Sequence, residues 1–363
     1  MELTESETLK SSLIVKERKN KKLPVYNGGL GANPFPAHQK LLDLLNKYSN
    51  KKNYTSPKGI DEIQKSIKNK YSSENYQVDN IIVGNGLKEL LYVLLLALKN
   101  YKLYIITPSW VSYIEQAKII GFDYQLIRTN IEDNYKLTSS KLEQILSEDK
   151  SEKEKVIILN NPTNPTGAVY FNEELKKLAN VFQKHNMLVI GDEIYYNLVY
   201  SKYKSKTSPI SKFYNKVITG SSLSKEFTVG GWRLGWLTFP KELNNIHKNV
   251  SILSSSIYSC PSMPLQYVAA DLLQDIPDVI EYTKEITTFF SKLSVYCHYN
   301  FNSMKILTSK PQAAWYIYLD FSNYKFILNK NNIFSSKILV SRLINDIGFV
   351  TVSGESFGYD GLT

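Results

Sequence analysis

The stretch KVIILNNPTNPTG, residues Lys155–Gly167, joins an apolar run to a polar loop, and it is one of a series. The same transition occurs in MLVIGDE (Met187–Glu193) and in KVITGSS (Lys216–Ser222). Runs as uniformly apolar as VIIL are typical of strands that are buried on both faces. Because helical patterns separate these runs, the sequence predicts an α/β fold with a doubly wound, mostly parallel sheet.

The same alternation extends upstream and then changes character after about residue 245. Two further strands are predicted upstream, at Asn80–Gly84 and Leu103–Thr107. Helices are predicted at Leu87–Leu98, Ser112–Ile120, Asn172–His185, Asn244–Ile257, Asp275–Leu293 and Ser335–Ile347, and β structure at Ala313–Phe321 and Gly348–Ser353. We therefore predict a large domain over residues 40–250 and a smaller α+β domain formed by residues 1–39 and 251–363.

Composition narrows the class of protein. The 363 residues carry a net charge of +10, but the lysines are scattered, and the densest basic run, Lys16–Lys22, is interpreted as a solvated surface rather than a nucleic-acid site. Cys260 and Cys297 have no metal-ligand spacing and are too few for a disulfide framework. The longest apolar run, Leu90–Leu98, is about half as long as a bilayer span requires. We expect a cytoplasmic protein without a metal, nucleic-acid or membrane partner.

Three polar loops follow three predicted strands. In such sheets ligands gather beyond the carboxyl ends of the strands, so the loops are expected to form one site. They contribute an amide, a carboxylate and an amine, from Asn164, Asp192 and Lys225.

Lys225 and Arg233 share the stretch SLSKEFTVGGWRLGW, residues Ser222–Trp236. A lysine at a strand end among small hydroxyl residues is well placed to form a Schiff base with a carbonyl cofactor. An arginine among glycines suits a phosphate, because its planar fork donates two parallel hydrogen bonds. Taken singly, a lysine such as Lys225 more often lies in a surface loop, and an arginine such as Arg233 more often forms a surface ion pair.

Asp192 ends an apolar strand, where a carboxylate is costly to bury without a positive partner. The protonated ring nitrogen of pyridoxal phosphate is such a partner, and that cofactor also requires a lysine. The alternatives for Asp192 are a helix cap or an ion pair, roles that its neighbour Glu193 could have instead.

Further residues complete the set that this cofactor requires. Asn164 and Tyr195 could hydrogen-bond the ring's phenolic oxygen, and Trp110 offers a face for stacking, although alone it would be read as a core aromatic. The segment GNGLKEL (Gly84–Leu90) opens a helix after a strand, where backbone N–H groups bind anions. Its predicted cofactor-binding residues are Gly86, Leu87 and Lys88.

Together these motifs resemble those of class I/II pyridoxal-phosphate-dependent aminotransferases of fold type I, the aspartate aminotransferase-like family. Residues 222–236 are similar to the family's lysine signature, with Ser222, Lys225 and Arg233 in register. The stretch NNPTNPTG resembles its asparagine motif and GDEIYYNLVY its aspartate–tyrosine motif. The resemblance extends from about residue 25 to the end of the sequence.

The resemblance implies a transaminase that moves an amino group from an amino acid to a 2-oxo acid. Lys225 would hold pyridoxal 5′-phosphate as a Schiff base and shuttle the proton between the substrate α-carbon and cofactor C4′, with Asp192 and Tyr195 as the other catalytic residues. The active unit would be a homodimer with shared active sites, in which Tyr54 contacts the neighbouring subunit's phosphate. Gly31, in a segment lying over the substrate, and Asn164 would contact substrate.

One feature of the family pattern is missing from the sequence. The family's C-terminal arginine, which holds the substrate carboxylate, follows a segment like Val352–Gly361, and the sequence ends at Thr363 before that position. Arg342, the last arginine, falls in a predicted helix and is not given the role. Either the C-terminal end is incomplete or the substrate is anchored otherwise.

The alternatives left open are a lyase or decarboxylase reaction on the same scaffold, and a cofactor-binding protein without transaminase activity. The amino donor is also open, among aromatic, acidic and specialised amino acids. The segment Lys310–Phe321 is expected to line the approach to the site.

Overall fold

The computed structural model describes residues 7–29, 31–359 and 361–362. The strands are β1 (Tyr26–Asn27), β2 (Asn80–Gly84), β3 (Lys102–Thr107), β4 (Asp123–Arg128), β5 (Lys155–Asn160), β6 (Leu188–Asp192), β7 (Val217–Ser222), β8 (Gly235–Phe239), β9 (Leu307–Thr308), β10 (Leu319–Asp320) and β11 (Phe349–Val350). The helices are α1 (Glu7–Asn20), α2 (Gln39–Tyr48), α3 (Asp61–Tyr71), α4 (Leu87–Ala97), α5 (Val111–Ile120), α6 (Ser139–Glu148), α7 (Asn172–Lys184), α8 (Ser201–Lys204), α9 (Leu223–Glu226), α10 (Asn244–Ile257), α11 (Met263–Leu272), α12 (Pro277–Ser303), α13 (Lys325–Lys330) and α14 (Ser336–Ile347).

Seven strands form the central sheet in the order β2-β8-β7-β6-β5-β3-β4. The pairs β4–β3, β3–β5, β5–β6 and β6–β7 are parallel, whereas β8 runs antiparallel to both β2 and β7. The predicted α/β fold with a mostly parallel sheet is confirmed.

The two faces of this sheet are covered by helices, which explains the uniformly apolar strands. Along β5, Ile157 and Leu159 join a hydrophobic cluster with α2, α3, α6, α7 and α11. Val156 and Ile158 point to the opposite face and join a cluster with α4, α5 and α10. Alternate residues of one strand therefore enter two separate cores, and both faces exclude water.

The sequence pattern missed two strands of the central sheet, and outside this sheet it predicted a strand that is too long. β4 lies at the sheet edge with most of its side chains partly or fully exposed, so it lacks the apolar run of a central strand. β8 begins inside the lysine-containing stretch, whose glycines and aromatics obscure its periodicity. The β structure predicted over Ala313–Phe321 is wrong except at β10, because Ala314 has a positive φ of 56° and breaks the extended run.

Outside the central sheet, β1 pairs in parallel with β11, and Val15, Ile344 and Val350 form a small cluster beside them. α12 extends ten residues beyond its predicted end at Leu293. Residues of α11 pack with α2 and α3 in the hydrophobic cluster that contains Ile157 and Leu159 of β5. The domain boundaries at residues 39/40 and 250/251 stay a prediction. Within residues 7–29, 31–359 and 361–362, no helix has the length and apolarity that crossing a membrane requires.

Candidate active site

The carboxyl ends of β5, β6 and β7 lie side by side at one edge of the sheet. Asn160, which ends β5, is in register with Asp192 of β6, and Asp192 is in register with Gly220 of β7. The loops beyond these ends border a cavity of about 840 Å³. Its lining includes the predicted site residues Gly31, Leu87, Lys88, Trp110, Asn164, Asp192, Tyr195, Ser222, Lys225 and Arg233.

Asp192 is a buried carboxyl group at the floor of this cavity, only 2% exposed. Its Oδ2 accepts a hydrogen bond from the Tyr113 hydroxyl at 2.5 Å, and its Oδ1 accepts one from the backbone N–H of Ile194 at 3.2 Å. Burial raises the pKa of Asp192 to about 6, against the opposing effects of these hydrogen bonds and of the Lys225 charge. A cationic group in the cavity would favour the ionised carboxylate.

Lys225 follows β7 directly, on the short helix α9, and its amine reaches into the same cavity. Nζ donates a hydrogen bond to the Gly31 carbonyl oxygen at 2.5 Å and lies 5.8 Å from the centre of the Trp315 ring. Burial lowers the pKa of Lys225 to about 8; Asp192 opposes this shift, and Arg233 adds to it. A neutral amine, which can act as nucleophile or base, is therefore accessible near neutral pH.

The hydroxyl of Tyr195 lies within 2.6 Å of the Tyr316 hydroxyl and accepts a long hydrogen bond, 3.5 Å, from Nδ2 of Asn164. Asn164 is itself positioned by its backbone N–H, which donates to Oδ1 of Asn160 at 2.8 Å. Two side chains with polar hydrogens, an amide and a phenol, thus meet at one point of the cavity wall.

At another part of the cavity, the start of α4 meets Arg233. Gly86, the residue before α4, has a φ of 97°, and a Cβ there would lie 2.4 Å from Nη2 of Arg233, so only glycine allows this approach. Nη1 of Arg233 donates to the Gly230 carbonyl oxygen at 2.8 Å. Partial burial and the Arg233 charge lower the pKa of Lys88. Backbone N–H groups at a helix start and clustered cations form an anion site.

Trp110, Ser222 and Tyr54 have less direct placements. The Trp110 ring is half-buried in the cavity wall, with Lys88 Nζ 5.7 Å from its centre. Ser222 Oγ accepts from the backbone N–H of Ser224 at 3.1 Å, so it caps α9 and helps to fix Lys225. Tyr54 is 92% exposed and is not among the cavity-lining residues.

The model of the family "Aminotransferase class I and II" matches residues 26–363. This chain belongs to that family. It is 30% identical to an aspartate aminotransferase of Bacillus sp. (strain YM-2), over 98% of this chain and 90% of that protein. It is 29% identical to an asparagine–oxo-acid transaminase of Streptococcus mutans, over 99% of this chain and 91% of that protein. The chain is therefore an aminotransferase, and the lyase, decarboxylase and non-catalytic alternatives are not favoured.

Solved structures show the same fold at lower sequence identity. An aspartate aminotransferase from Thermus thermophilus superposes with a TM-score of 0.87 at 22% identity, covering 98% of this chain and 90% of that one. An aromatic aminotransferase from Pyrococcus horikoshii gives 0.82 at 24% identity, covering 97% and 91%. The fold-type-I architecture of this aminotransferase is thereby established.

Sequence reasoning missed three aromatic residues at the site of this aminotransferase. Tyr113 lies on α5, three residues after Trp110, and its hydroxyl donates to Asp192. The i, i+3 spacing could have suggested that Tyr113 shares the face of Trp110. Trp315 and Tyr316 line the cavity from the segment expected to border it, but the strand predicted there gave no reason to single them out.

Two other sequence-based interpretations concern charged side chains. Glu193, considered as a cap or an ion pair, is 4% exposed instead, and its Oε1 has no hydrogen-bond partner among the described residues. Burial raises the pKa of Glu193 to about 8. Arg342 lies on α14, as predicted, where its Nε pairs with Oδ2 of Asp346 at 3.2 Å.

Proposed function

We propose that this aminotransferase binds pyridoxal 5′-phosphate in the cavity, bonds it to Lys225 as a Schiff base, and transfers an amino group from an amino acid to a 2-oxo acid. The observation that carries the proposal is that one cavity holds both a lysine of lowered pKa and a buried carboxyl group of raised pKa. Each of these groups lacks the environment that it would have in water, and such pairs mark functional sites. When bound, the cofactor supplies an electron sink for the substrate's α-carbon electrons.

The fit of a phosphate is supported by the cradle at the start of α4. Gly86 leaves room for the Arg233 guanidinium, and the first backbone N–H groups of α4 have no side-chain cap. Arg233 and these N–H groups would bind the phosphate, and Lys88 adds positive charge beside them. Ser222, which fixes the start of α9, is assigned to the cofactor site with them.

The fit of a pyridine ring is supported by Asp192 and Trp110. A buried carboxyl group whose pKa is raised by burial gains a favourable partner when a ring N–H⁺ arrives. Asp192 would hold the proton on that nitrogen, and Tyr113 would hold the Asp192 carboxylate in place. Trp110 would stack on the ring, while Asn164 and Tyr195 would donate to its phenolic oxygen.

Lys225 is the residue to which we assign proton movement. As a neutral amine it can accept the proton from the substrate α-carbon, and burial makes that form accessible close to neutral pH. The Gly31 carbonyl, which accepts a hydrogen bond from Lys225 Nζ, places the segment around Gly31 directly beside the reacting amine. This contact supports the assignment of Gly31 to the substrate side of the cavity, and the place of Asn164 in the cavity lining supports its assignment there.

The proposal includes a cytoplasmic homodimer in which Tyr54 reaches the phosphate of the partner's site. The support is its exposure: a tyrosine that is 92% exposed is free to contact a second subunit. Tyr54→Phe should weaken cofactor binding about tenfold if its hydroxyl donates to a phosphate. Equilibrium dialysis measures the cofactor affinity, and sedimentation measures the oligomeric state. A monomeric protein with unchanged cofactor affinity would refute the shared site.

The first experiment is a visible absorption spectrum of the protein with added pyridoxal 5′-phosphate, followed by titration with amino acids. The relatives are named for aspartate, asparagine and aromatic substrates, so the panel begins with these three classes. We expect a band in the visible region that one class of donor bleaches. The same spectrum of Lys225→Ala is the control, and a band that survives in that variant would rule out Lys225 as the linked residue.

A further inference from the structure

Tyr316 brings a second phenol to the point where Tyr195 and Asn164 meet. Its hydroxyl lies 2.6 Å from the Tyr195 hydroxyl and borders the cavity. The position is confined, since a Cβ on Gly31 would lie 2.5 Å from the Tyr316 oxygen. The two rings meet edge to face, with centres 5.5 Å apart. Tyr316 is therefore confined between Gly31 and Tyr195.

The direction of this hydrogen bond follows from counting donors. Asn164 Nδ2 can only donate, so the Tyr195 oxygen accepts from it. Tyr195 has a single proton, and donating it to an acceptor in the cavity leaves none for Tyr316. In that state the 2.6 Å contact is satisfied only if the Tyr316 hydroxyl donates to Tyr195.

We infer that Tyr316 is a positioning residue, which donates to Tyr195 and thereby strengthens Tyr195 as a donor to the phenolic oxygen of the bound cofactor. The inference rests on the proposed function, because that function places the phenolic oxygen beside Tyr195. Hydrogen bonds in a chain polarise one another, so a proton donated to the Tyr195 oxygen makes the Tyr195 proton more positive.

The groups around the two phenols are compatible with this arrangement. Burial raises the pKa of both Tyr195 and Tyr316, so both keep their protons at neutral pH. The titratable groups that act on the pair are Asp192 on β6, Tyr113 on α5 and Lys225 on α9. Trp315, beside Tyr316, brings no charge.

The test is a pH titration of the visible band of the cofactor-loaded protein, which reports the proton held at the Lys225–cofactor linkage. Hydrogen-bond donors to the phenolic oxygen stabilise the negative charge on this oxygen. The oxygen then attracts the proton at the Lys225–cofactor linkage less strongly. Tyr195→Phe should raise the band's apparent pKa by about 1 to 2. Tyr316→Phe should raise it by about 0.1 to 0.6, because polarisation adds about 10–30% to a hydrogen bond.

A matched control is Tyr200→Phe. The Tyr200 hydroxyl is also buried, but it donates to the Ala314 carbonyl oxygen and lies 2.9 Å from the Ser294 hydroxyl, away from Tyr195. This variant loses a buried hydrogen bond of the same segment and should leave the band's pKa unchanged. In the double variant Tyr195→Phe/Tyr316→Phe, the second change should add nothing, since the relay is already broken.

The outcomes separate this inference from the proposed function. If the pKa of the band is the same in the wild type and in Tyr316→Phe, the role of Tyr316 is overturned and the cofactor assignment stays intact. The role of Tyr316 is also overturned if Tyr316→Phe raises the band's pKa by the same amount in the Tyr195→Phe background as in the wild type. Tyr316 would then act independently of Tyr195. The absence of any Lys225-dependent band overturns both. A rise in Tyr316→Phe that disappears without Tyr195 supports the inference.

Discussion

Asp192 and Glu193 are adjacent buried carboxyl groups at the end of β6. They lie on opposite faces of the sheet, in different surroundings. Asp192 faces the cavity and accepts hydrogen bonds from the Tyr113 hydroxyl and the Ile194 backbone. Glu193 is buried in the interior, near Gly191, and its Oε1 has no hydrogen-bond partner among the described residues. Successive residues of a strand point to opposite faces, so one step along the chain separates the two environments.

The difference shows how surroundings determine the use of a buried acid. Burial raises the pKa of both groups, to about 6 for Asp192 and about 8 for Glu193. Hydrogen bonds and the charge of Lys225 lower the pKa of Asp192, whereas the neighbouring Asp192 charge raises that of Glu193 further. Asp192 is thus prepared to ionise when a cation enters the cavity, and Glu193 is kept neutral.

The largest expected effect lies on the cavity side, in Lys225→Ala. Removing the amine eliminates both the bond to the cofactor and the proton acceptor, so turnover should fall by at least about 1,000-fold. Single-turnover kinetics with an amino acid donor measure this loss. Lys241→Ala, at an exposed site outside the cavity, is the matched control and should retain full activity. Comparable loss in both variants would contradict a special role for Lys225.

Asp192→Ala is expected to have the next largest effect. Without the carboxylate the ring nitrogen loses its proton, and turnover should fall by about 100- to 1,000-fold while the affinity for inorganic phosphate changes little. Steady-state kinetics and phosphate competition measure the two effects separately. Tyr113→Phe keeps the carboxylate and removes one hydrogen bond, so its loss should be about tenfold. Unchanged turnover in Asp192→Ala would show that the carboxylate has another partner.

The comparison also shows which parts of the molecule a sequence can reveal. Asn164, Asp192 and Lys225 could be placed at one edge because each follows a buried strand, and the order of parallel strands brings their ends together. Tyr316 could not be placed so, since the left-handed backbone at Ala314 turns its segment in a way that depends on contacts with distant residues.

The sequence also did not reveal which of Asp192 and Glu193 faces the cavity. Alternation predicts that two neighbours face opposite sides, but it does not state which side holds a cavity. The apolar runs likewise predicted the central strands and missed β4, whose edge position leaves most of its side chains partly or fully exposed.

The smallest expected effect, on stability alone, lies on the interior side in Glu193→Gln. The pKa of Glu193 is about 8 in the folded protein against an ordinary 4.5, so between these values the folded state binds the proton that the unfolded state has lost. The contribution of Glu193 to stability therefore falls as pH rises from about 4.5 to about 8 in the wild type. Glutamine stays neutral at every pH, so the variant should unfold at nearly the wild-type temperature at pH 5 and be more stable by about 1–3 kcal/mol at pH 8. Thermal unfolding at both pH values measures the difference, and a difference that does not depend on pH would mean that Glu193 is ionised in the folded protein, as Asp192 is expected to be beside a cation.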